Sequence, residues 1–313
     1  MHPTNRRIAL SRIVAVVALG LAGCATLTGD PGEPLVPTRY QTRTGPFAVF
    51  TSKPLEPSDP IVRGLGTLRD QLETELGVRV DSEANPIEVY ILADRDAFAH
   101  FLRYYYPDLP ARRAFFLAQG ARRVVYTSMG DRLEEDLRHE ATHALLHRAY
   151  GDLPLWLDEG LAEYFEGPPT RGGINPEHLD RLPRDREDGW RPDLARLESL
   201  RGVRQMTPRD YRESWLWAHY LLTGPEPGKE ALLAYLGELR AEPDAPTLST
   251  RLDADDPTDT QHILAHLDRA GANPLAFAPA SRARVEPTIR MQNPVAEPIR
   301  PARRGFFGRL FGL

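Results

Sequence analysis

His139-Glu140-Ala141-Thr142-His143 lies inside a strongly helical stretch and constrains the fold more than any other feature of the chain. On a helix, residues i and i+4 lie about 40° apart around the axis and one turn apart along it, so both imidazoles point the same way. Two neutral imidazoles on one face make half of a tetrahedral zinc site. Glu140, beside the first of them, can reach a water held there. Such a site needs a third protein ligand and one open corner, so a second element must be brought against this helix.

That element is expected just downstream, in Leu155-Trp156-Leu157-Asp158-Glu159-Gly160-Leu161-Ala162-Glu163-Tyr164-Phe165. Pro154 suits a first helical turn, where its missing N–H costs nothing. Gly167, followed by Pro168 and Pro169, is a stop signal. Arg148 to Leu153, with Gly151, is long enough for a sharp turn, so an antiparallel helix pair could aim Glu159 at the two His. Read alone, the second helix is merely amphipathic, with Asp158, Glu159, Glu163 and Glu166 as solvated acids. Beside the pentad, Glu159 is the candidate third ligand.

An H-E-x-x-H pentad followed by W-L-x-E-G-x-A resembles the gluzincin zinc metallopeptidases, and most of all the peptidase MA-like domains of bacterial proteins. The resemblance implies that His139, His143 and Glu159 bind zinc and that Glu140 is the general base. It implies that Glu163, one turn after Glu159, orients a zinc-binding His from behind. Only positions 144 to 158 separate His143 from Glu159, a shorter gap than in the thermolysin-like and aminopeptidase members. That departure keeps Glu163 open as an alternative ligand. The specific motifs cover about thirty residues, and a looser likeness of strands, helix and pentad runs over roughly residues 45 to 240. The expected fold is α+β and zincin-like: an N-terminal mixed β-sheet lobe, the active-site helix and a helical C-terminal lobe.

With that ligand set, a zinc-activated water would hydrolyse a peptide bond, with Glu140 passing its proton to the leaving amine. A further group should stabilise the oxyanion. Tyr211 and His219 are candidates, eight residues apart and within about 80° on one helix face. Both could instead be packing residues of an aromatic-rich helix. His147, one turn beyond His143, is expected to line the wall or cap carbonyls. A chain that needs only ligands has no use for a base, so Glu140 favours an enzyme over the alternative, a catalytically inactive zinc-stabilised scaffold.

Arg6, Arg7 and Arg12 precede or edge the apolar run Ile13 to Leu21, which leads into Leu21-Ala22-Gly23-Cys24. A basic start, a short apolar core and small residues describe a secretory signal over residues 1–23. The run is too short for a membrane span, which needs about 20 residues. Leu-Ala-Gly-Cys resembles a lipobox, which implies lipidation of Cys24 and anchoring to a membrane. Ala25, in place of Asp, resembles lipoproteins of the outer membrane, so the expected location is its periplasmic face. Cys24 is the only cysteine among 313 residues, so the domain beyond it has no disulfide. A peptidoglycan stem peptide is a second possible substrate class, suggested by location alone.

Lys and Arg number 39 against 44 Asp and Glu, a net charge of −5 mixed along the chain. No basic face or aromatic-interleaved stripe argues for nucleic acid. Residues 24–44 read as a Pro- and Gly-rich tether, 45–270 as the peptidase domain and 271–313 as a Pro-, Ala- and Arg-rich tail. The tail ends in basic residues beside Phe306, Phe307 and Phe311, which suit an anionic membrane surface or a docking contact. Strands are expected at Phe47–Thr51 and Ile87–Leu92, with a hairpin at 114–118 and 123–127 around Gln119-Gly120. In gluzincins an edge strand near the zinc accepts the substrate; Val124–Thr127 is the candidate, with a purely structural hairpin as the alternative. Helices are expected at Asp59 to Leu76, after Asp94, and at about 208–222, 229–240 and 258–269. Asp131 and Glu134 approximate a capping box for the pentad helix. Residues 167–206 read as a long irregular insertion, a lid or a surface loop, weakly helical at 176–182 and 192–200.

Overall fold

The computed structural model describes residues 35–79, 85–225, 227–242, 245–252 and 257–278. The signal and lipidation expectations at residues 1–24, and the basic-aromatic end of the tail, lie outside the described residues. No helix of the described residues is long and apolar enough to cross a membrane.

The architecture is α+β, with a mixed sheet first and helices after it. Five strands, β1 (Tyr40–Thr44), β2 (Phe47–Thr51), β3 (Ile87–Leu92), β4 (Phe115–Gln119) and β5 (Arg122–Ser128), pair in the order β1-β2-β3-β5-β4. The central pairs β2–β3 and β3–β5 are parallel, while β1 and β4 flank them antiparallel. Parallel neighbours need crossovers, and helices supply them: α1 (Pro60–Leu76) joins β2 to β3, and α2 (Arg95–Tyr105) follows β3. Both helices start at aspartate caps. Asp59 accepts from the Ile61 amide and Asp94 from the Ala97 amide, while Gly77, at φ +67°, closes α1 in the left-handed conformation.

Period-two alternation divides the strands between two cores. Phe47, Val49, Val89, Ile91 and Val125 face α1 and the pentad helix α3 (Leu133–Tyr150). Phe50, Tyr90, Tyr126 and Phe115 face α2. These four rings stack across the sheet, with centroids 4.7 Å apart for Phe50–Tyr90, 5.4 Å for Tyr90–Tyr126 and 5.0 Å for Tyr126–Phe115. Cross-strand aromatic pairs of this kind fix register as well as burying area.

The helical lobe consists of α4 (Leu155–Phe165), α5 (Pro176–Glu187), α6 (Leu194–Glu198), α7 (Pro208–Thr223), α8 (Gly228–Ala241), α9 (Leu248–Leu252) and α10 (Pro257–Ala272). Gly160 lets α4 and α7 approach closely, because a Cβ there would lie 2.4 Å from the Ser214 carbonyl oxygen. That contact gives the Glu159-Gly160 pair a packing reason for its glycine. Arg138, only 2% exposed, donates to Phe165 O at 2.9 Å and Gln71 Oε1 at 2.9 Å, tying α3 to the end of α4 and to α1. Burial lowers its pKa to about 10, so it remains a cation at neutral pH.

Five expectations need correction. Asp131 does not cap α3: Arg132 takes the N-cap position and no side-chain hydrogen bond is made. Glu134, Glu135 and Asp136 in the first turn favour the helix dipole instead. Val124–Thr127 belongs to β5, an inner strand, because β4 folds back outside it and becomes the edge. The stretch read as tether contains β1 and the buried Val36, and the stretch read as tail begins with the end of α10 and a 3-10 turn at Pro274–Phe277. Within 167–206, α5 and α6 are regular helices, started by Asn175 and Asp193 caps.

Candidate metal centre

The pentad lies mid-helix on α3, and α4 turns back against it through Gly151, which adopts φ +78°. His139 Nε2 lies 3.7 Å from Glu159 Oε2, and His143 Nε2 lies 3.8 Å from the same oxygen. The three ligand atoms all fall within 4.8 Å of one another. Ligands 2.0–2.1 Å from a tetrahedral ion are about 3.3 Å apart, so the two sides meeting at Glu159 would shorten by about half an ångström to close on one. His143 and Glu159 are 8% and 9% exposed, whereas His139 and Glu140 are half-buried and face a cleft of about 960 Å³. The site thus has a covered side and an open side.

Each opposite ring nitrogen has a carboxylate beside it, hydrogen-bonded at His139 and at ion-pair distance without hydrogen-bond geometry at His143. His139 Nδ1 lies 3.2 Å from Glu166 Oε2, and His143 Nδ1 lies 3.0 Å from Asp158 Oδ2. A carboxylate behind each ring leaves Nε2 to the front, the usual support of a metal-binding His. Burial pulls both rings toward the neutral form, but the carboxylates outweigh it. Glu159 and Glu166 hold His139 well above its ordinary value, and Asp158 then Glu159 push His143 up to about 9. The cluster therefore favours a cation, and a metal ion would bind in competition with protons. The residues fit a metal ion: three ligands of suitable chemistry, supported rings and one open approach.

Glu140 lines the cleft beside His139. Burial raises its carboxyl above the usual range, against the opposing pull of His139 and His143. Tyr211, at the start of α7, lines the same cleft. Burial, followed by the negative charges of Glu159 and Glu163, raises its phenol, which stays a hydrogen-bond donor at neutral pH. His219 is not brought to the cleft. It is fully buried two turns further along α7, 2.8 Å by Nδ1 from His266 Nε2 and packed on Trp215 and Phe277. The packing alternative holds for it, because the 80° between the two positions is enough to turn one side chain into the core. His147 accepts from Arg123 Nε at 2.9 Å through Nδ1 and lies 2.9 Å from Asp152 Oδ1 through Nε2, so it points away from the triangle.

Glu163 lies near His139, with a carboxylate oxygen within 4.8 Å of a ring nitrogen, in a second cluster of possible ligands with Glu166, but its hydrogen bonds go elsewhere. Its Oε2 contacts His178 Nε2 and accepts from Asn175 Nδ2, each at 3.0 Å. Asp158, Glu166, Asn175 and His178 were not singled out as site residues from the sequence. Asn175-Pro176 does carry a helix-start signal, but nothing in it says that the amide faces two glutamates.

Residues 135–244 match the model of a family described as "Protein of unknown function (DUF1570)". The matched stretch contains the three clustered ligands, Glu140 and Tyr211. No curated protein matches the chain.

Proposed function

We propose that this chain is a zinc-dependent metallopeptidase of gluzincin type acting on peptides or proteins at the cell envelope. The observation that carries the reading is the convergence of His139 Nε2 and His143 Nε2 on Glu159 Oε2, with Glu140 on the open side of the cluster. His139, His143 and Glu159 would hold the ion. When bound, zinc supplies a Lewis acid that polarises a carbonyl and lowers the pKa of water to about 7. Glu140 accepts a proton from the attacking water at a carboxylate oxygen and delivers it to the leaving amine. Tyr211 donates a hydrogen bond to the developing oxyanion. The edge strand β4, which leads out of the loop holding Arg112 on the cleft wall, offers backbone groups to an extended substrate.

The competing scaffold reading keeps the ligands and dispenses with the base. Zinc content and hydrolysis of an unbiased peptide library, for wild type and Glu140→Gln, decide between them. About one zinc per chain is expected in both proteins, with hydrolysis at least about a hundredfold lower in the variant. Equal hydrolysis in the two would remove Glu140 from the mechanism, and zinc without any hydrolysis would favour the scaffold. Envelope location rests on Leu21-Ala22-Gly23-Cys24. Lipid labelling that disappears in Cys24→Ser would support it, and labelling that persists would refute it.

A further inference from the structure

We propose that Glu166, and not Glu163, is the positioning residue that aims His139 at the metal, and that Asn175 clamps Glu166 in place. The inference rests on the metal-centre reading above and concerns how one ligand is held.

An imidazole that presents Nε2 to a metal carries its proton on Nδ1, and that proton needs a fixed acceptor. For His139 the acceptor is Glu166 Oε2, at 3.2 Å. A Glu163 oxygen also lies within 4.8 Å of a His139 ring nitrogen, but among the described residues Glu163 makes no hydrogen bond or ion pair with that ring, whereas Glu166 does. Helical spacing alone could not have chosen between them. Glu163 lies four residues after Glu159 and Glu166 seven, so both fall within about 40° of the Glu159 face.

Asn175 settles where the two carboxylates point. Its amide donates one proton to Glu166 Oε1 at 2.7 Å and the other to Glu163 Oε2 at 3.0 Å. Its carbonyl oxygen accepts from the Glu177 and His178 amides at the start of α5. Every donor of this amide is used, and its oxygen takes both first-turn amides, so the orientation is unique. The chain between Glu166 and Asn175 is shaped to bring the amide back. Gly172 and Gly173 adopt φ +59° and +77°, and a Cβ on Gly173 would fall 2.0 Å from the Tyr164 ring. Residues 167–175, readable in the sequence only as an insertion, thus support the metal site.

The test measures zinc affinity of the full chain by competition with a chromophoric chelator. It also records the downfield Nδ1–H resonance of His139 in the zinc-loaded protein. Glu166→Ala should weaken zinc binding 10- to 100-fold and abolish or shift that resonance. Glu166→Gln, whose amide oxygen can still accept, should recover part of the loss while preserving the fold. Asn175→Ala should weaken binding less than Glu166→Ala, and Glu163→Ala by under about threefold with the resonance unchanged. Zinc binding by Glu166→Ala equal to wild type, or a loss in Glu163→Ala as large as in Glu166→Ala, would overturn the inference and leave the metal centre standing. Failure of wild type to bind zinc would remove both.

Discussion

Two pairs of histidines in this molecule have opposite chemistry. His139 and His143 sit among Glu159, Glu166 and Asp158, which hold both rings up, His143 to about 9. His219 and His266 contact each other amid Trp215, Tyr220 and Phe277, and burial pulls them down to about 3 and about 4. The second pair is fully buried, and the first is mostly covered, with His139 open to the cleft. The decisive difference is the presence of carboxylates, and so whether positive charge is stabilised or excluded. The first pair is suited to hold a cation and the second to remain neutral within a core.

The strongest way to break the contrast is to remove one ring from each pair. His143→Ala should lose metal binding by more than about a hundredfold, while His219→Gln keeps close to one ion per chain. Full occupancy in His143→Ala, measured by metal analysis after dialysis, would refute the ligand assignment.

Acid stability sharpens it next. The His266 ring binds protons at 6.5 when unfolded and at about 4 when folded, so the unfolded chain takes up more protons below 6.5. The stability associated with the neutral ring is complete above 6.5 and is lost as pH falls toward 4. Between pH 7 and 5 the loss from this ring is about 2 kcal/mol. Denaturant unfolding of wild type and His266→Gln at both pH values should therefore show the difference shifting by about that much in favour of the variant. A pH-independent difference would mean that the ring is not held neutral.

The smallest effect removes a single carboxylate from the first pair. Asp158→Asn leaves an acceptor near His143 Nδ1 and removes its charge, which should weaken zinc binding about tenfold. Unchanged affinity would show that the contact at 3.0 Å does not support the ring.

Much of the fold could be read from the sequence wherever the signal was local. The caps at Asp59 and Asp94, the stop at Gly77 and the hairpin around Gly120 all follow from side chains within a few residues of the feature they control. The pentad and Glu159 were legible because helical spacing and a short turn leave few ways to orient them. The edge strand was misassigned because strand order is a non-local property: β4 and β5 are both apolar-rich arms of one hairpin, and only the sheet decides which is outside. His219 was offered as a site residue for a similar reason. Its helix face was readable, but not the arrival of His266 and Phe277 from the C-terminal end.

By itself, the amino-acid sequence determined which groups could bind a cation and that His139, Glu140 and His143 share a helix, since a repeat of 3.6 residues places them whatever surrounds the helix. Tertiary structure decided what each group meets. It set Glu159 before both rings, placed Glu166 and Asp158 behind them, turned Glu163 toward His178 and closed His219 into an aromatic core. The physical reason is that charge and hydrogen bonding act over a few ångströms, and the residues that come so close here are often tens of positions apart along the chain.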